Sequence, residues 1–319
     1  MRNIRLYAKW LVPLGIFVLC HVSPASAEQC QLKLIASLDM VENPYGELLI
    51  PIGIAGTSQT MLLDTAGYSG SLVDNVADAL KLEHKAMSPV VSVYGSGGEK
   101  FDRYVTVPSV NIGPVSAQNV NFLLIHKMGM AAGTIGPDVL RSFDIDLDFG
   151  KKKVNFFSPD HCKGQVVYWT SSYVAMPMKI LESGHIEITA NLDNHDLQTT
   201  FDTGTTRSTL SLPVARSTFD VDEKSANVSR IRGADANPVY RANFKNLSLQ
   251  GISVPNPTVD LIPDAVYVRA NQDVPDRERY LPGLPHIPDL ILGLDVIHQL
   301  HVYIAYQEHM LYVTAADAH

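Results

Sequence analysis

Two acidic residues stand out because each follows an apolar run and opens a turn. One lies in Met61-Leu62-Leu63-Asp64-Thr65-Ala66-Gly67, the other in Thr200-Phe201-Asp202-Thr203-Gly204-Thr205. Two carboxyls held side by side cannot both ionise cheaply, so they share a proton. The ionised member can take a proton from a water while the protonated one polarises the bond under attack. Such a pair hydrolyses without a covalent intermediate, a metal or a cofactor. It needs two equivalent loops that face each other.

The chain offers two such halves. A shift of 138 residues lays Leu38–Leu72 on Met176–Leu210 without gaps. The six identities include Gly46/Gly184, Ile50/Ile188, Asp64/Asp202, Thr65/Thr203 and Leu72/Leu210. A shift of 157 lays Gly136-Pro137-Asp138-Val139-Leu140 on Gly293-Leu294-Asp295-Val296-Ile297. The difference is a net insertion of 19 residues in the second copy. The Pro-rich stretch from Ile262 to Pro288 is its expected seat.

Within each copy the pattern is β. Leu48, Ile50, Ile52 and Ile54 alternate with other residues, as do Ile186, Ile188, Ala190 and Leu192; period two marks a half-buried strand. Ile145, Leu147 and Phe149 alternate before a Gly150-Lys151-Lys152 turn, and Val302, Ile304 and Tyr306 repeat the pattern. Helix is expected only in short pieces, at Val73–Leu80, Val139–Ser142 and Val296–Leu300.

Asp202-Thr203-Gly204-Thr205-Thr206-Arg207-Ser208-Thr209-Leu210 resembles the signature of the aspartic proteases of the pepsin and retroviral types. A lone Asp-Thr-Gly would occur by chance in roughly one chain of this size in twenty. Two related motifs at equivalent places in a β repeat are far rarer. Each is also followed by an apolar-apolar-Gly element, Thr134-Ile135-Gly136 and Ile291-Leu292-Gly293. The resemblance implies an all-β, bilobal, pepsin-like architecture made of two related retropepsin-like β-barrel lobes with the site between them. The lobes would be residues 28–163 and 164–319, joined near Cys162–Trp169.

By the same resemblance Asp64 and Asp202 form the catalytic dyad, and Thr65 and Thr203 cross-bond the two loops. Ala66, Gly204 and Thr205 support the dyad, with Ala66 departing by one methyl where the family usually has Gly. Tyr94, Gly95, Ser96 and Gly97 resemble the pepsin flap, and glycines suit a hairpin tip that must move over a substrate. The matching stretch of the second copy, Ile231 to Asp235, has no such tyrosine, as expected if one flap serves the site. Pepsin-like enzymes carry Ser or Thr at the positions of Gly67 and Thr205. A single remaining hydroxyl, on Thr205, then predicts a dyad that holds its proton to higher pH than pepsin's.

The N-terminus reads as an export signal. Arg2, Arg5 and Lys9 precede the apolar run Trp10–Val22, and Ala25-Ser26-Ala27 supplies a cleavage pattern, so the mature chain is expected to start at Glu28. The run is too short to span a bilayer, which needs about 20 apolar residues, so no stable membrane insertion is expected after cleavage. A periplasmic or secreted location follows. Two cysteines then remain, Cys30 and Cys162, and in an exported chain they favour a disulfide around the first lobe.

Composition supports a soluble globular protein, with 46% hydrophobic and 18% charged residues. The net charge is −8, and −11 once the three basic residues of the leader are removed. An acidic protein repels phosphates, so nucleic acid is excluded as a partner. The expected partner is a peptide or protein substrate, and the expected state is a monomer. His298 and His301 sit three apart but lack a third ligand, so they read as surface histidines and no metal is expected. A Gly-x-Ser-x-Gly elbow is missing, which leaves a serine hydrolase without support. These readings converge on an exported aspartic endopeptidase. The alternative on the same fold is a peptide-binding protein of weak or no activity, for which Ala66 is the sequence feature.

Overall fold

The two carboxylate-bearing strands are set by matching hairpins. Leu49–Ile54 pairs with Thr57–Leu63 through a two-residue turn at Ala55 and Gly56, both at positive φ (49° and 79°). Ile186–Leu192 pairs with His195–Phe201 through Asp193 and Asn194, at 45° and 69°. Turns of this left-handed kind match the right-handed twist of the flanking strands, which fixes the register. Each second strand therefore ends at the same place, one residue before Asp64 or Asp202.

In this computed structural model the described residues are 31–41, 43–88, 93–94, 100–232, 239–262 and 288–317. The leader, Cys30, most of the flap tip and nearly all of the Pro-rich stretch lie outside them. The fold is mostly β. A seven-stranded sheet in the first half closes on itself where Gly53 and Ile54 pair with Asn111 and Val110. The second half repeats this with Asn191 and Leu192 against Ser248 and Leu247. Its long hairpin is broken, because Pro255-Asn256-Pro257 interrupts what is a continuous strand, Val115–Ile125, in the first half. Gly133–Ile135 and Leu290–Leu292 occupy equivalent central positions, each parallel to the strand that carries the aspartate.

The inserted residues fall where expected, between Thr258–Ile262 and Leu290–Leu292. Among the described residues the helices span Asp74–Ala79, Pro137–Leu140, Leu212–Phe219 and Leu294–Ile297, and the longest of them, Leu212–Phe219, is not expected from the sequence. Gly136 and Gly293 start two of them earlier than the apolar spacing suggests, and Leu300 already belongs to the next strand. No helix among the described residues is long and apolar enough to cross a membrane.

A six-stranded sheet joins the halves, three strands from each. At its centre Asp144–Asp148 runs antiparallel to Leu300–Ala305, pairing Ile145 with Ile304 and Leu147 with Val302. The alternating pattern of Ile145 and Leu147 suggests one solvated face, but both faces are covered. Asp144, Asp146 and Asp148 are all buried. The segment between Phe157 and Val174 covers that face and supplies two of the partners: His161 Nε2 meets Asp144 Oδ2, and the Tyr168 hydroxyl donates to Asp146 Oδ2 at 2.6 Å. Asp148 is paired within its own hairpin, by Lys151 Nζ at 2.9 Å.

His301 is the clearest correction to the sequence reading. It is 2% exposed, its Nε2 lies 2.6 Å from Asp146 Oδ1, and Trp169 stacks on its ring at 3.9 Å. It sits on a strand, whereas His298 is exposed at the end of a short helix. No cluster suited to a metal ion occurs among the described residues.

Candidate active site

The loops after Leu63 and Phe201 are held by the strand ends from which they spring. These two side chains are 0% and 1% exposed, and burying a side chain of this size is worth about 1.5–3 kcal/mol. The Asp64 N–H donates to the Ile135 carbonyl and the Asp202 N–H to the Leu292 carbonyl, both at 3.0 Å. The apolar-apolar-Gly elements thus lie directly beside the loops. Their glycines are needed for that approach. A Cβ on Gly136 would come within 2.6 Å of Ser69 C, and one on Gly293 within 2.5 Å of Arg207 C. Asp138 and Asp295 close the arrangement, accepting from the Gly70 and Ser208 N–H groups at 2.9 Å in both halves.

Thr65 and Thr203 link the two loops. The Thr65 N–H donates to Thr203 Oγ1 at 3.1 Å, and the Thr203 N–H donates to Thr65 Oγ1 at the same distance. Each hydroxyl then donates to a carbonyl of the opposite half, Thr65 to Phe201 at 2.9 Å and Thr203 to Leu63 at 2.7 Å. Both threonines are fully buried. This reciprocal set satisfies four backbone groups that burial would otherwise leave unpaired.

The cross-bonds bring the aspartates together. The Ala66 N–H donates to Asp64 Oδ1 at 3.0 Å and the Gly204 N–H to Asp202 Oδ1 at 2.7 Å. Asp64 rests on the loop of the other half, since a Cβ on Gly204 would lie 2.5 Å from its Cγ. Both aspartates keep some accessible surface, although their carboxyls have lost most of their hydration. Burial raises the pKa of Asp64, opposed by the N–H groups of Ala66 and Gly67. Burial, and then the charge of Asp64, push Asp202 up to about 8. The pair can therefore hold one proton over a wide range of pH, with a carboxylate and a carboxylic acid available together.

The Thr205 hydroxyl does not serve as expected. It donates to the Arg207 carbonyl at 3.4 Å, and Asp202 is held by the backbone N–H groups of Gly204 and Thr205. The argument from one remaining hydroxyl therefore fails. Gly67 itself has no room for a side chain, because a Cβ there would lie 2.6 Å from Asp64 Oδ2.

Val93 and Tyr94 pair with Phe101 and Lys100 as an antiparallel hairpin, while Gly95, Ser96 and Gly97 lie outside the described residues. One neighbour of the site had no sequence signal. His185, from the second half, lies by the Gly67 backbone of the first half's loop; burial lowers its pKa, and the Gly67 backbone opposes that shift. Its counterpart 138 residues earlier is Glu47, so the repeat itself gave no hint.

Residues 50–142 match the family model described as gag-polyprotein putative aspartyl protease. That stretch contains Asp64, the hairpin of Tyr94 and the Gly136 element. No curated protein matches the chain. Among solved structures the chain is similar to basic 7S globulin from soybean, at 9% identity and a TM-score of 0.48. The alignment covers 91% of this chain and 96% of that one.

Proposed function

We propose that the protein is an exported aspartic endopeptidase in which Asp64 and Asp202 activate a water against a peptide bond. The observation that carries the reading is the reciprocal Thr65–Thr203 bonding, which holds two aspartates from separate halves at one place. The family match over residues 50–142 agrees with it. The ionised carboxylate takes a proton from water as the oxygen attacks the amide carbonyl. The protonated one supports the developing oxyanion and returns a proton to the leaving nitrogen. The Tyr94 hairpin acts as a flap over the bound peptide.

Export and a disulfide belong to the same proposal. The ladder of Leu34–Asp39 with Lys153–Phe157 sets Leu34 opposite Phe157. Thiol titration of the native, unreduced protein should find no free cysteine, and two free thiols would contradict the pairing. The test of the activity is cleavage of an unfolded protein substrate by residues 28–319 at mildly acidic pH. Inhibition by a statine-containing peptide is expected. Cleavage that is insensitive to it and survives Asp64→Asn would reject the reading.

A further inference from the structure

Ala66 and Gly204 hold equivalent positions, 138 residues apart. Each lies two residues after its aspartate and donates its N–H to that aspartate's Oδ1. They differ by one methyl group. The surroundings of Gly204 show what a methyl does there. A Cβ at 204 would stand 2.5 Å from both Cγ and Oδ1 of Asp64 and 3.0 Å from Oδ2. Real Cβ atoms do not approach other atoms below 3.0 Å. Asp64 can lie against the opposite loop only because residue 204 is bare backbone.

At position 66 the methyl is present. By the internal two-fold relationship it faces Asp202, so that carboxyl cannot settle on the opposite loop as Asp64 does. We propose that Ala66 is a positioning residue that breaks the symmetry of the pair: its methyl covers Asp202, which carries the shared proton, and leaves Asp64 as the ionised base. A hydrocarbon wall disfavours the charged form of the group it covers, whereas exposed peptide N–H groups favour it. Burial raises the pKa of both carboxyls, so it is the methyl, present on one side only, that distinguishes them.

Other ionisable groups do not set this order. Among the described residues, the charge that raises Asp202 is that of Asp64. Burial disfavours the charged form of His185, and the nearby backbone of Gly67 opposes that less strongly. Arg207, further along the second loop, is engaged by Asp295 at 3.4 Å and by Thr258. The consequence is a proton retained toward neutral pH, so the methyl extends activity upward in pH. That consequence rests on the endopeptidase reading; the unequal titration of the two carboxyls does not.

The experiment compares the protein with Ala66→Gly in two measurements. In the pH profile of kcat/KM, Ala66→Gly should move the alkaline limb toward acid by about one unit. A limb that stays in place or moves toward alkali overturns the inference. In carbon-13 NMR titration of the aspartate carboxyls, the unaltered protein should show Asp202 titrating above Asp64, with the gap narrowed in Ala66→Gly. If no substrate is cut at any pH, the endopeptidase reading fails and the NMR titration still decides. If Ala66→Gly does not fold, the unaltered protein alone decides, and Asp64 titrating at or above Asp202 overturns the inference.

Discussion

Asp146 and Tyr303 face each other across the junction of the two halves, and each is the other's counterpart at a separation of 157 residues. The register is symmetric about them, with Ile145 opposite Ile304 and Leu147 opposite Val302. The local two-fold relation between the halves therefore passes through this pair. The same operation that relates Asp64 to Asp202 is built into a continuous sheet. The acidic row on that sheet breaks the symmetry, since only one half carries Asp144, Asp146 and Asp148.

Tyr303 is fully buried, and its hydroxyl has no hydrogen-bond partner among the described residues. An unsatisfied buried hydroxyl costs about 1–3 kcal/mol. Tyr303→Phe should leave stability unchanged or raise it, with each kcal/mol worth about 2–4 °C in melting temperature. A clear fall in melting temperature would show that the hydroxyl has a partner after all.

His301 holds Asp146 and carries the stacked ring of Trp169. Tyr168 and Asn155 still hold Asp146 Oδ2, but removing His301 leaves the buried Oδ1 without its partner and empties the space under Trp169, which costs about 1–3 kcal/mol or more. His301→Ala should lower the urea midpoint accordingly. A loss under about 1 kcal/mol, as for an exposed pair, would contradict the burial argument.

Thr65 and Thr203 each replace a backbone partner that the opposite loop needs. Thr203→Ala should cost about 1–3 kcal/mol through the unsatisfied Thr65 N–H and Leu63 carbonyl. It should also lower kcat more than it alters KM, because the loss falls on the alignment of the carboxyls. Thr203→Ser keeps the oxygen and should recover most of both. Equal damage from Ser and Ala would mean that the methyl, rather than the hydroxyl, holds the loops together.

The raised pKa of Asp202 makes the site a pH-dependent cost to the fold. A carboxyl that holds its proton more tightly when folded contributes stability that is complete below its unfolded pKa of about 3.9. That contribution is lost as pH rises toward the folded value of about 8. Asp202→Asn removes the titration. The variant should therefore gain stability relative to the unaltered protein at pH 7 and lose that advantage at pH 4. A gain of the same size at both pH values would contradict the linkage.

The repeat, the two Asp-Thr loops and the glycine elements were legible in the sequence because each is local and occurs twice. Duplication turned Asp64 and Asp202 from turn residues into a pair, and the period-two runs placed them at strand ends. The acidic row was not legible. Asp144, Asp146 and Asp148 alternate with apolar residues as a solvated strand face does, and only the chain from His161 to Trp169 shows that this face is covered. Rotamers were equally hidden. Whether Thr205 bonds a carboxylate or the Arg207 carbonyl depends on one side-chain torsion, which residue type does not set. His185 reaches Gly67 only through the approach of the halves, and neither residue signals it alone.

The most direct test of the account is peptide cleavage in water enriched in oxygen-18, with the unaltered protein beside Asp64→Asn and Asp202→Asn. A dyad that activates water predicts that cleavage places one solvent oxygen in each new carboxylate. Because the two groups act as one unit, each single variant should lose nearly all activity and the double variant should be no worse. Substantial cleavage by either folded single variant would contradict the account.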